Sequence, residues 1–160
     1  MTDNGPTENG ASNVTRPRVV LAEDHPAMAT ELHELLSTDY DIVEIVQDGA
    51  ALIEAARRDL PDAIVCDIAM PGVNGLTAAA SILETRPDGR IVFVTVQDSR
   101  AVIRKALSCG ARGYVLKSDA GNELVAAVRT AIQGGHYLSA HARLVLEKTG
   151  RYGVKDEETP

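Results

Sequence analysis

The chain has 160 residues, 44% of them apolar but only 3% aromatic and none Trp, which suits one domain with an aliphatic core of Ala, Val, Leu and Ile. Lys and Arg number 16 against 23 Asp and Glu, a net charge of −7 that is the reverse of the basic footprint of a nucleic-acid-coating protein. Cys66 and Cys109 are too few for a disulfide-stapled secreted module, no Cys-x-x-Cys or His-x-x-x-His pair marks a zinc site, and no apolar run approaches the ~20 residues of a membrane helix. The expectation is a cytoplasmic chain with reduced thiols, no membrane partner and no nucleic acid bound by this chain alone.

Residues 1–16 are rich in Gly, Asn, Thr and Ser and read as a disordered leader, because they bury too little to offset chain entropy. Arg18–Glu23 is then a β-branched apolar run, and 26–37 places Met28, Leu32, Leu35 and Leu36 at helical spacing. Strand-like Asp41–Val46 precedes an Ala-rich helix over Ala50–Arg58, and the apolar strand Ala63–Asp67 precedes a helix over Leu76–Arg86 that Pro87 stops. Ile91–Val96 is the most continuous strand, followed by a helix over Ala101–Cys109 with Gly110 at its end. A short strand Gly113–Leu116 leads into a helix over Asn122–Gln133, ended by Gly134-Gly135. Residues 137–160 read as an extension, with a short helix over Ala142–Glu147 and an acidic tail at Asp156, Glu157 and Glu158.

Strands separated by helices pair in parallel through crossovers. Five such strands predict an α/β, doubly wound parallel sheet with helices on both faces. All carboxyl ends of a parallel sheet share one edge, where ligands bind. Glu23-Asp24, Asp67, Thr95 and Lys117 all fall there. Three carboxylates in one place repel each other unless a cation intervenes, and oxygen ligands with no His or Cys among them suit magnesium. A metal, a lysine and a hydroxyl beside a carboxylate can neutralise a phosphoryl group, with Asp67 as its acceptor. Each residue also has an ordinary reading. Glu23-Asp24 can serve a helix start, Asp67 a turn before Pro71-Gly72, Thr95 a strand and Lys117 a solvated surface.

The ordered set resembles the receiver domain of two-component response regulators over roughly 17–136. Glu23-Asp24 looks like the acidic pair, Asp67–Gly75 (DIAMPGVNG) like the phosphoacceptor segment, Thr95 like the hydroxyl position, and Tyr114-Val-Leu-Lys117 like the switch aromatic and lysine. Glu23-Asp-His-Pro26, Gly113–Ser118 and Gly135-His-Tyr-Leu-Ser139 are further similar to the subfamily named after NarL and FixJ. The resemblance implies a flavodoxin-like strand order 2-1-3-4-5. It implies that Asp67 accepts a phosphoryl group from a histidine kinase or phosphotransfer protein. Mg2+ would be held by Asp24, Asp67 and the Ala69 backbone carbonyl, with Glu23 on a bound water. Lys117 would pair with the phosphoryl oxygens, and Thr95 and Tyr114 would switch a surface that meets a downstream protein. A homodimer is left open by the apolar stripes of the first and fifth helices. Tyr114 also has the plain reading of a core aromatic.

Ser118 stands where many receivers carry proline, so a trans Lys117–Ser118 bond is expected. Val96 is larger than the residue usual after the hydroxyl position, and would shield the phosphoryl group from water. Ala69 stands where aspartyl-nucleophile phosphohydrolases place a second Asp as general acid, which argues against an enzyme. No basic recognition helix follows the receiver-like region, so a stand-alone receiver is expected. The alternative is the front of a longer DNA-binding transcriptional regulator.

Overall fold

The structure is a computed structural model and describes residues 15–151. Residues 1–14 of the predicted leader and the acidic tail at 156–158 lie outside the described residues.

The elements alternate along the chain. Strands β1 (Arg18–Ala22), β2 (Asp41–Val46), β3 (Ala63–Cys66), β4 (Ile91–Thr95) and β5 (Gly113–Leu116) are each followed by a helix: α1 (Pro26–Leu36), α2 (Gly49–Asp59), α3 (Gly75–Thr85), α4 (Arg100–Ser108) and α5 (Ala120–Ile132). A 3-10 turn, Lys117–Asp119, lies between β5 and α5. The first five strands stand in the order β2-β1-β3-β4-β5, all parallel, as expected. A two-residue strand, β6 (Tyr137–Leu138), joins β5 in parallel as a sixth. The final helix α6 (Ala140–Arg151) is longer than the segment the sequence pattern marks.

Every residue of β3, β4 and β5 is buried, because helices cover both faces. Strand alternation divides the core in two. Val20, Ile64, Phe93 and Tyr114 face α2, α3 and α4, while Val19, Val65, Val94 and Val115 face α1 and α5. Ala142 of α6 joins the first of these layers. Three helices begin with a polar side chain accepting a backbone N–H: Asp48 from Ala51, Asn74 from Thr77 and Ser99 from Val102. Helix α1 differs, since its N-cap residue His25 makes no side-chain cap bond.

Two glycines fix the loop between β3 and α3. A Cβ at Gly75 would lie 2.1 Å from the Asp67 carbonyl oxygen, and one at Gly49 would lie 2.1 Å from that of Val73. Only glycine lets α2 and α3 come this close to the segment that carries Asp67.

Candidate functional site

The strand ladder itself delivers the acids. Beyond β1, Glu23 N–H donates to the Val46 carbonyl at 2.9 Å. Beyond β3, Asp67 N–H donates to the Ala22 carbonyl at 3.0 Å. Glu23 is fully buried and Asp67 is 3% exposed, so both carboxylates need a partner inside the protein. Lys117, just past β5, supplies it. Its Nζ lies 2.8 Å from Asp67 Oδ2 and 2.9 Å from Glu23 Oε1. Burial lowers the lysine pKa, but the hydrogen bonds it donates to Asp67 and Glu23 outweigh this and hold the ammonium above the ordinary lysine value. Asp67 Oδ1 accepts the Ile68 N–H at 2.6 Å and, more weakly, the Ala69 N–H at 3.4 Å. Both carboxylate oxygens are therefore oriented. Ala69 is an exposed loop residue two positions on.

Thr95 closes β4, fully buried, and its Oγ1 accepts the Gln97 N–H at 3.2 Å. Tyr114 is fully buried in β5, tilted against Phe93 with ring centroids 6.4 Å apart. Its hydroxyl donates to the Gln97 carbonyl at 2.7 Å. The phenol is thus inward, and burial, then the charges of Asp67 and Asp98, push its pKa up. Gln97 carries both contacts on its own peptide groups, which couples the hydroxyl position to the aromatic one. The Lys117–Ser118 bond is trans.

Glu23, Asp24 and Asp67 carry three negative charges against the one positive charge of Lys117. Two are left over, which a divalent cation cancels. Asp24 Oδ1 is shut off from solvent and accepts no hydrogen bond, as a ligand atom waiting for a cation would be. The donors present therefore fit a hard divalent ion. Among the described residues, the group whose candidate ligand atoms all lie within 4.8 Å of one another is Glu23, Asp24 and His25. Asp67 is not in that group and meets the pair through Lys117. The His25 ring lies beside this acidic pair. The sequence gives no spacing signal for it beyond adjacency, and a solvated helix-start histidine is the ordinary reading.

A doubly wound sheet with acids and a lysine at this edge defines a receiver domain, and the chain belongs to the response regulator receiver domain family, whose sequence pattern matches residues 19–129. It is 32% identical over 124 residues to the oxygen regulatory protein NreC of Staphylococcus carnosus, covering 76% of this chain and 57% of that one. It is 28% identical over 152 residues to the transcriptional regulatory protein DegU of Brevibacillus brevis, covering 94% and 64%. The chain thus spans less than two thirds of the length of these relatives. Among solved structures it is similar to a LuxR-family two-component response regulator from Aurantimonas sp., with TM-score 0.80 and 28% identity over 84% of this chain and 98% of that one. The receiver domain of a NarL response regulator from Mycobacterium tuberculosis gives TM-score 0.72 and 32% identity over 75% and 98%. The family is a signalling one. No helix among the described residues is long and apolar enough to cross a membrane.

Proposed function

We propose that this chain is a phosphorylation-controlled signalling module of the cytoplasm, in which Asp67 accepts a phosphoryl group from a histidine kinase or phosphotransfer protein. One observation carries the reading: Lys117 Nζ, from the far end of the fold, bridges Asp67 and Glu23 at 2.8 and 2.9 Å. In the transfer, an Asp67 carboxylate oxygen forms a bond to phosphorus as the bond from phosphorus to the donor's imidazole nitrogen breaks, and the electron pair stays with that nitrogen. Asp24, Asp67 and the Ala69 carbonyl would hold Mg2+, with Glu23 supporting it, and the ion would supply charge neutralisation for the incoming phosphoryl oxygens. Lys117 then pairs with those oxygens in place of the carboxylate. Thr95 Oγ1 leaves the Gln97 N–H to donate to the phosphoryl group, and Tyr114, through its bond to the Gln97 carbonyl, follows that movement. The surface of α4, β5 and α5 changes its preference for a downstream protein, since contacts made in one conformer alone shift the population. Residues 17–136 form this module and 137–160 its extension. Ala69 leaves no general acid at the position where hydrolases carry one, so turnover is limited to slow self-dephosphorylation.

A second reading takes the chain as the receiver part of a longer DNA-binding regulator. The 57% and 64% shares of NreC and DegU, the latter named a transcriptional regulatory protein, favour it.

The test is incubation with acetyl phosphate and Mg2+, followed by intact mass. The expected result is one added phosphoryl group, labile in acid and base, absent from Asp67→Ala and blocked by EDTA. Unmodified wild-type protein, or multiple turnover of unrelated phosphomonoesters, overturns the reading.

A further inference from the structure

Helix α4 differs from the other helices in its charge. Its sequence, RAVIRKALS, holds Arg100, Arg104 and Lys105 and no acid. Every other described helix carries at least one Asp or Glu. On a chain of net charge −7, α4 is a basic island. Arg100, Arg104, Leu107 and Ser108 stand at i, i+4, i+7 and i+8, and so share one face of the helix. That face and Leu146 of α6 line a groove of about 480 Å3. Leu107 and Leu146 are half-buried against the core, while Arg104 and Ser108 are exposed. The groove therefore combines an apolar floor with a basic wall, and it suits an acidic segment.

Such a segment follows directly in the chain. Helix α6 ends at Arg151, and the only run of three acids in the sequence, Asp156-Glu157-Glu158, begins five residues later. An extended chain covers about 3.3–3.6 Å per residue, so five residues reach roughly 17 Å. Leu146, in the groove, is only about 7.5 Å along the helix from Arg151, and the stripe from Arg100 to Ser108 is about 12 Å long. The acids thus have enough chain to double back over the arginines from the helix that forms the opposite wall. A short tether also holds them at an effective concentration of about millimolar, which favours this occupant over a second copy or a separate protein.

We infer that Asp156, Glu157 and Glu158 dock on Arg100 and Arg104 in the groove between α4 and α6 of their own chain, so that the tail covers the basic face of α4. The consequence for signalling rests on the phosphoacceptor reading, which gives the α4 surface to a downstream protein. That protein meets the same arginines and must displace the tail, which makes the tail a built-in competitor for the output face.

Amide hydrogen exchange along α4, on the full unphosphorylated chain without Mg2+, tests the docking. The variants are Arg104→Glu, the tail triple Asp156→Lys, Glu157→Lys and Glu158→Lys, and the two combined. The tail triple alters no described residue, so its effect is not a folding defect. Either change alone is expected to speed exchange in α4 by about three- to tenfold, the size of two or three surface ion pairs, and to leave α2 and α3 as in wild type. High salt should do the same to wild type. The combination reverses the charge on both sides and should bring protection back toward wild type. Exchange in α4 that the tail triple leaves unchanged overturns the inference. So does a combination that exchanges no more slowly than the tail triple. Protection that falls on dilution, together with a dimer in sedimentation, gives the groove to a second copy's tail and also overturns it. A negative result here leaves the acetyl phosphate outcome at Asp67 standing, and an Asp67 that never takes up phosphate leaves the docking standing without its role in signalling.

Discussion

At the scale of single residues, the two sides of the site are built differently. Asp67, Glu23 and Thr95 sit inside the protein, whereas Val96, one residue past Thr95, is 71% exposed. A side chain this exposed contributes little to the core, so shielding of the phosphoryl group, as its size suggests, would be its main effect. Val96→Ala is therefore expected to speed loss of the phosphoryl group by several-fold at little cost in stability, measured as the decay of phosphorylated protein after the donor is removed. An unchanged or slower decay would count against shielding by Val96. The residues of the acid–lysine cluster were readable in the sequence because each falls at the end of an apolar strand and the ends of parallel strands share one edge, although each alone has an ordinary reading. The contact of His25 with Glu23 was not, because it comes from a backbone bond, and no pattern of residue types encodes that bond.

At the scale of elements, the start of α6 carries the least expected chemistry. A helix needs partners for its first N–H groups. Here they come from other elements. Ala140 N–H donates to the Glu123 carboxylate at 3.0 Å, and His141 N–H donates to Asp119 Oδ2 at 3.0 Å. The His141 ring adds a contact of 2.6 Å to Asp119 Oδ1, a partner that the spacing of the histidines does not suggest. Ser139, the residue before the helix, turns its own oxygen inward and accepts the buried Leu116 N–H at 3.1 Å. It thereby continues the β5 ladder past the two residues of β6. These contacts join residues 17 to 23 positions apart. In the sequence, Asp119 and Glu123 look like ordinary acids of a first helical turn, and a two-residue strand is too short to show alternation. Burial raises the Asp119 pKa, but hydrogen bonds from Ser139 and His141 outweigh it and hold the carboxyl below its ordinary value. Its contribution is thus present above the ordinary carboxylate pKa and is lost as pH falls below it. Ser139→Ala strands the Leu116 N–H and is expected to cost about 1–3 kcal/mol. Faster hydrogen exchange across α6 than in the helices on the opposite face of the sheet would mark the loss as local to this join. Uniform acceleration would instead show that Ser139 only supports the core.

At the scale of the whole molecule, parallel pairing and a core layer on each face follow from alternating apolar runs and helices, whereas the strand order was legible only through the family resemblance. The sixth strand and the start of α6 could not be read in advance, since tertiary hydrogen bonds, rather than local pattern, decide them. Lys117 ties the stability of the whole fold to pH at the alkaline end. Its folded pKa lies above the ordinary lysine value, so its contribution is complete below about 10.5 and disappears as pH rises through the higher folded value. Lys117→Gln, which leaves Glu23 buried without its counter-charge, is expected to lose about 1–3 kcal/mol at neutral pH. Denaturant titrations across pH should show the gap between wild type and variant closing above the lysine value, and a constant gap would exclude the ion pair as its source.

The 3-10 turn has two ends with two tasks. Lys117 reaches back to Asp67, and Asp119, two residues later, grips the first turn of α6. The acid–lysine cluster and the start of the last helix are thus held by the two ends of one three-residue turn. A glycine inserted there would move one hold away from the other, so the turn's length is what lets a single segment serve both.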